Sequence, residues 1–301
     1  MIITTVGHGN TGASAVLDFL RGYDDIDIVD DFEFQIIQMP DGILDLKYHL
    51  TQNCQRISTN VAIKRFKKAV NSSIFASKMK ARLGSRFDDI VYSYINELQI
   101  INWKGRSNMD PEDVSAYSRN KFLKYLQRNV GGVQRRLKLP GNIPRLRDRY
   151  FSFLTEEEFN AATRKFFKNL LNALDINTEH MVVLDMLFSA TKPQGGMEFF
   201  EECKVIRVDR DPRDVFAYSK KRYFYDSFMP VDTSKNYADY YCKLREFSDS
   251  NVNVLNIQYE DLIYKYYETT FEYPKTGIKI AAALSSTLLN TKQASNAATI
   301  I

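Results

Sequence analysis

Only three cysteines occur in the 301 residues, Cys54, Cys203 and Cys242. They are odd in number, far apart and outside any paired metal-ligand spacing, which excludes a disulfide scaffold, argues against structural zinc and fits a reducing compartment. Long apolar runs are missing as well. No stretch reaches the ~18 to 20 residues of a membrane span, and the opening Met-Ile-Ile-Thr-Thr-Val-Gly-His has no basic region or long apolar core of a secretion signal. The chain therefore reads as cytoplasmic, with no integral membrane segment. Strong charge of one sign is also absent. The 41 Lys and Arg against 37 Asp and Glu leave +4, too little to indicate a nucleic-acid partner, so any basic site has to be local. Repeats and low-complexity tracts are absent.

Core material is plentiful, with 44% hydrophobic and 13% aromatic residues. A chain of this length and make-up buries a substantial core, and residues 1–301 read as one domain. Ile2 to Val6 is a β-branched run ending at Gly7. The glycine-rich Gly7-His8-Gly9-Asn10-Thr11-Gly12 then gives way to a helical period through Val16, Leu17, Leu20 and Tyr23. A second strand is expected within Ile26 to Ile37, which makes a β-α-β unit with the turn at the carboxyl end of the first strand, where ligands bind in α/β sheets.

From about Leu44 to Asp175 the pattern is mainly helical and predicts an insertion. Arg135 to Arg149 is its densest cationic stretch and reads as a loop, while Thr155-x-x-Glu158 is a capping box opening an amphipathic helix that reaches Leu174. Sheet-like sequence returns at Met181 to Leu187, Lys204 to Val208 and Val252 to Ile257. Strands separated by helices imply parallel pairing with right-handed crossovers. The fold class is thus α/β, an open and mostly parallel sheet flanked by helices, with a large helical insertion. The last twenty residues, from Ala281, are small and polar with weak amphipathicity.

The glycine-rich turn presents backbone amides and the positive end of a helix dipole to an anion. Its spacing Gly7-x-Gly9-x-x-Gly12 fits a dinucleotide fingerprint, with Asp30, Asp31 and Glu33 about twenty residues on, where a ribose-binding carboxylate is expected. Against that reading, long helical sequence intervenes before the next clear strand. A turn that binds nothing is the plainest alternative. No Gly-Lys-Ser/Thr closes the loop, so an ordinary ATP or GTP hydrolase is excluded. The same residues, Gly9, Asn10, Thr11, Gly12, Ala13 and Ser14, offer amides and hydroxyls together to a phosphate or sulfate.

A second anion cradle follows the strand Lys204 to Val208, in Asp209-Arg210-Asp211-Pro212-Arg213-Asp214-Val215-Phe216-Ala217-Tyr218-Ser219. Pro212 suits a first helical turn, and Asp211 or Asp209 can cap it. Two such cradles in this order, and the later Tyr259-Glu260-Asp261-Leu262 after a strand, resemble the sulfotransferase family. Its members carry a basic-Ser-Gly-Thr-Thr loop after the first strand and Arg-(Asp/Asn)-Pro-(Arg/Lys)-Asp with a helix serine after a later one. The resemblance spans the anchors and leaves Leu44 to Asp175 uncovered. It implies a P-loop-like fold that binds 3′-phosphoadenosine 5′-phosphosulfate and moves its sulfuryl group to a hydroxyl or amine, with no metal required. The 5′-phosphosulfate maps onto Gly9 to Ser14, and the 3′-phosphate onto Arg210 and Ser219.

This sequence departs from the family at two points. The loop's usual Lys or Arg is Asn10, so Lys64, Arg65 or Lys192 has to reach in, or the amides and Asn10 suffice, or transfer has been lost. Ser219 comes one residue later than the family's serine, with Tyr218 in the expected place, a difference of ~100° of helix rotation. For the acceptor's proton, Glu33, between Phe32 and Phe34, is the leading base, its pKa raised by partial burial. Asp30 and Asp31 compete with it, and His8 in the loop is a second acid-base candidate. Lys64-Arg65 with Lys67-Lys68 reads as a solvated face, and Tyr237, Tyr240 and Tyr241 as packing residues. A carbohydrate or glycan acceptor is expected. The alternatives are an NAD-dependent oxidoreductase using the Gly7-Gly9-Gly12 turn, and a non-catalytic nucleotide- or glycan-binding protein of the same fold.

Overall fold

The computed structural model describes residues 1–23, 26–29, 32–105, 110, 147–176, 180–222, 228–248 and 253–264. The chain opens with β1 (Ile2–Gly7), α1 (Ala13–Leu20) and β2 (Ile26–Val29). The insertion follows, with α2 (Ile43–Lys47), a π-helical turn at Tyr48–Gln52, α3 (Arg56–Ser72), α4 (Ile74–Leu83), α5 (Ser85–Leu98), the strands β3 (Ile101–Gly105) and β4 (Arg147–Phe151), and α6 (Glu156–Ala173). The chain then returns to β5 (Met181–Asp185), α7 (Gln194–Met197), β6 (Cys203–Asp209), α8 (Pro212–Arg222), α9 (Ser234–Glu246) and β7 (Val254–Gln258).

Five strands form one all-parallel sheet in the order β2-β5-β1-β6-β7. Every strand expected from the sequence is in it. β1 is buried along nearly its whole length, as an apolar β-branched run must be when both sheet faces are covered. Alternation along the strands serves two cores. Ile3, Val183, Ile206 and Val208 pack with Val16, Leu17 and Leu20 of α1 on one face. Val6, Val182, Leu184 and Val205 join the other, a continuous apolar cluster that includes Phe66, Tyr94 and Phe166 of the insertion.

The insertion is helical as expected, with one correction. Its β3 and β4 pair antiparallel in a small separate sheet, so Arg147 and Arg149, expected in a loop, lie on a strand. The side chain of Arg149 explains part of this, because it is buried against Asp110, which also accepts from Lys64 Nζ at 2.9 Å and Asn60 Nδ2 at 3.0 Å. A buried carboxylate needs such partners. Arg135 and Arg145, Asp30, Asp31 and the segment from Ala281 lie outside the described residues.

The capping box is formed. Thr155 Oγ1 accepts from the Glu158 amide at 3.2 Å, and the Thr155 amide donates to Glu158 Oε2 at 2.8 Å. From there Phe159, Thr163, Phe166 and Leu170 recur on the buried face of α6 at a helical period. Thr155→Ala removes one amide partner at the exposed helix start, and thermal denaturation should register a loss of about 1 kcal/mol.

Candidate anion-binding site at the carboxyl edge of the sheet

The connection from β1 runs toward β2 and that from β6 toward β7, in opposite directions from neighbouring strands. Such a switch point opens a crevice beyond the carboxyl ends of the strands. In the register Gly7↔Val208, the glycine-rich turn and the Asp209-Arg210-Asp211 turn stand on its two sides.

The turn earns its glycines. Gly9 and Gly12 have φ of +91° and +92°, and Asn10, a residue that tolerates the left-handed region, has +52°. A Cβ on Gly9 would come within 2.7 Å of the Phe228 ring, and one on Gly12 would collide with the ring of Tyr259. Thr11 is buried over Gly7, and its hydroxyl has no hydrogen-bond partner among the described residues. α1 begins at Ala13 with no side-chain cap from Gly12 and no acidic residue in its first turn, so its leading amides favour an anion. Ser14 is exposed beside them.

The two cradles touch. Asn10 Nδ2 donates to Ser219 Oγ at 2.9 Å, and Ser219 is fully buried. Ser219 thus faces the glycine-rich turn, whereas Tyr218 turns outward and pairs with Arg222. Arg210 lies 4.7 Å over the ring of Tyr259, its Nε buried without a hydrogen-bond partner among the described residues, and Asp214 is 4.0 Å away. Asp211 caps α8 by accepting from the Arg213 amide at 2.8 Å, and the Arg213 guanidinium bonded to it, helped by that amide, holds its carboxyl down at about 2. Asp209 is instead held by Arg245, whose Nε donates to Oδ2 at 3.0 Å and whose guanidinium stacks on Tyr241.

Tyr259 and Glu260 are the residues that sequence reasoning left without a task. Tyr259 spans Gly12 and Arg210, and Glu260 Oε1 accepts from the Asp211 amide at 3.0 Å. Their signal was the Tyr-Glu-Asp-Leu motif itself, read only as a strand ending.

His8 is held neutral. Burial, then the positive charge of Arg245, press its pKa from 6.5 to about 4, Arg207 adds to this, and Asp209 opposes it. A neutral imidazole cannot give up an acid's proton near pH 7, although it can accept one. Because the folded pKa lies below the unfolded one, the contribution to stability is present above pH 6.5 and is lost as pH falls through 4. Denaturant melts at pH 7 and 4.5 should show the wild type losing about 1 kcal/mol more than His8→Gln, after discounting for solvent at a partly exposed ring.

Glu33 requires a correction. Its carboxylate is exposed and bonded to the Gln35 side chain, so the partial burial expected from its Phe neighbours is absent. β5 also separates β2 from β1, about 10 Å at two strand spacings. Of the cations proposed to replace the loop's missing one, Lys64 is committed to Asp110 and Arg65 to Asp41 at 2.5 Å. Lys192 is exposed on the segment after β5. Lys64 and Lys67 do not form a solvated face, since Lys64 is nearly buried and Lys67 donates to the Tyr150 hydroxyl at 2.7 Å. Tyr237 packs, its ring 5.4 Å from that of Phe216. Among the described residues no three His, Cys, Asp or Glu side chains gather as a metal site, and no helix is long and apolar enough to cross a membrane. No family model matches the chain, and no curated protein matches it in sequence.

Proposed function

We propose that the chain is a sulfotransferase that uses 3′-phosphoadenosine 5′-phosphosulfate and acts on a hydroxyl or amine of a carbohydrate or glycan-bearing acceptor. The observation that carries this reading is the Asn10–Ser219 hydrogen bond. It joins the two motifs on which the resemblance rests, more than two hundred residues apart in sequence, with Arg210 on the same crevice. Anion-ready groups surround it, namely the Thr11 hydroxyl and the Arg210 Nε, both without a hydrogen-bond partner among the described residues, and the uncapped start of α1. Gly9 to Ser14 would hold the 5′-phosphosulfate, and Arg210 with Ser219 the 3′-phosphate. By analogy with phosphoryl transfer, the donor supplies an activated sulfuryl group, and the protein contributes position and fixed charge to a loose in-line transition state.

The strand order weighs against the dinucleotide alternative. In a dinucleotide-binding domain the acid after the second strand serves a ligand on the first because those strands are neighbours. Here β5 stands between them, so a carboxylate following β2 is displaced by a full strand. The fold-retaining, non-catalytic alternative differs from an enzyme only in transfer itself.

Isothermal calorimetry with adenosine 3′,5′-bisphosphate, with ADP and NADH as controls, tests the donor class. Selective binding of the bisphosphate is the expected result. Preference for NADH, or no binding of the bisphosphate, would overturn the reading. Given binding, incubation with sulfur-labelled donor and a panel of glycans should label one of them, whereas a binder without transfer chemistry labels none.

A further inference from the structure

Asn10 leaves the glycine-rich loop neutral at the point where the donor's charge would gather, yet the sheet carries a cation to the neighbouring position. β6 pairs with β1 in the register Val6↔Arg207, so Arg207 stands beside the last residue before the loop. Its side follows from alternation. Ile206 and Val208 pack with α1, while Val205 joins the opposite core, and Arg207 follows Val205 on that second face. Arg207 is 8% exposed. Carrying a guanidinium this far out of water on a central strand is costly, and here it is done at the switch point of the sheet.

We infer that Arg207 supplies, from the sheet, the positive charge that the sulfotransferase family supplies from the loop, and that it faces the 5′-phosphosulfate end of the donor. The inference rests on the sulfotransferase reading and names the cation of that same site. His8, the first residue beyond Gly7, provides independent support, because the charges acting on it from the packed elements are Arg207 and Asp209 of β6 and Arg245 of α9. Two of the three charged groups acting on it are guanidiniums, and the one carboxylate is held by Arg245. In transfer, the bond from sulfur to the bridging oxygen of the 5′-phosphate breaks as the acceptor oxygen or nitrogen bonds to sulfur. The phosphate leaves with the electron pair, and the acceptor's proton passes to a base. A guanidinium beside the departing phosphate stabilises the charge that appears there.

Calorimetry with adenosine 5′-monophosphate and adenosine 3′,5′-bisphosphate on the wild type, Arg207→Gln, Arg207→Lys and Arg210→Ala separates the possibilities. Arg207→Gln should weaken both ligands about tenfold, and Arg207→Lys should recover part of that loss. Arg210→Ala should weaken the bisphosphate alone. Wild-type binding with unchanged affinities in Arg207→Gln overturns the inference and leaves the sulfotransferase reading standing. Failure of the wild type to bind either ligand overturns both. Should the glutamine variant fail to fold, the wild type still decides: adenosine 5′-monophosphate should raise the His8 pKa, followed by NMR, and an unmoved His8 overturns the inference.

Discussion

Gly12→Ala should lower the affinity for adenosine 3′,5′-bisphosphate by roughly a hundredfold or more while leaving a folded protein. Two independent penalties meet at this residue. Its φ of +92° lies where a side chain is strained, at a cost of about 1–3 kcal/mol. Its added methyl would also collide with the ring of Tyr259, which has to move or push the turn away. Either response spoils the site, because the same ring lies beneath the Arg210 guanidinium and the same turn opens α1. The loss of affinity corresponds to about 2.7 kcal/mol at a hundredfold. Gly84→Ala is the control, for its φ is +59° but nothing lies within 4 Å of an added Cβ. It should cost about 1 kcal/mol of stability and leave binding intact. Calorimetry and thermal melts on the two variants check this, and equal binding by both would contradict the role given to the turn.

Arg210→Ala should cost at least ~1.5 kcal/mol in bisphosphate binding, more than tenfold, because it removes a charge-assisted contact to the 3′-phosphate. The side chain is prepared for such a contact. Stacking on Tyr259 restricts it, Asp214 at 4.0 Å only weakly competes for it, and its buried Nε has no hydrogen-bond partner among the described residues. Arg213 is the contrasting case three residues on. It is 88% exposed and paired with Asp211, so Arg213→Ala should change affinity less than about twofold. Arg210→Lys should fall between, since an ammonium keeps the charge but loses the planar fork and the stacking. Equal losses at Arg210 and Arg213 would point to a general electrostatic effect and not a 3′-phosphate contact.

Some of this site was legible from local sequence. Gly9 and Gly12 announced backbone that only glycine adopts comfortably, and Pro212 with Asp211 announced a capped helix start, because turn and cap chemistry depends on residues within a few positions of one another. Glu33 shows where such reasoning fails. Flanking by Phe32 and Phe34 suggested burial, but alternation sends neighbours to opposite sides, and the two rings are buried while the carboxylate between them is exposed. Ser219 shows a second limit. Counting residues from Arg210 left Ser219 and Tyr218 both open, and only the rotation of α8 against the loop brings the serine to Asn10.

The sequence by itself determined the element types: five β-branched or apolar runs that became the parallel sheet, the helical period of the insertion, and the Thr155–Glu158 box that starts α6. Each is a short-range property, written in spacing of two or 3.6 residues. The tertiary structure alone decided that β5 lies between β2 and β1, that Tyr259 and Glu260 close over both turns, and that Arg207 stands beside the loop. The physical reason is that strand order and register come from pairing between segments far apart in the chain, with free energy gained only when their side chains interlock across the sheet and its two cores.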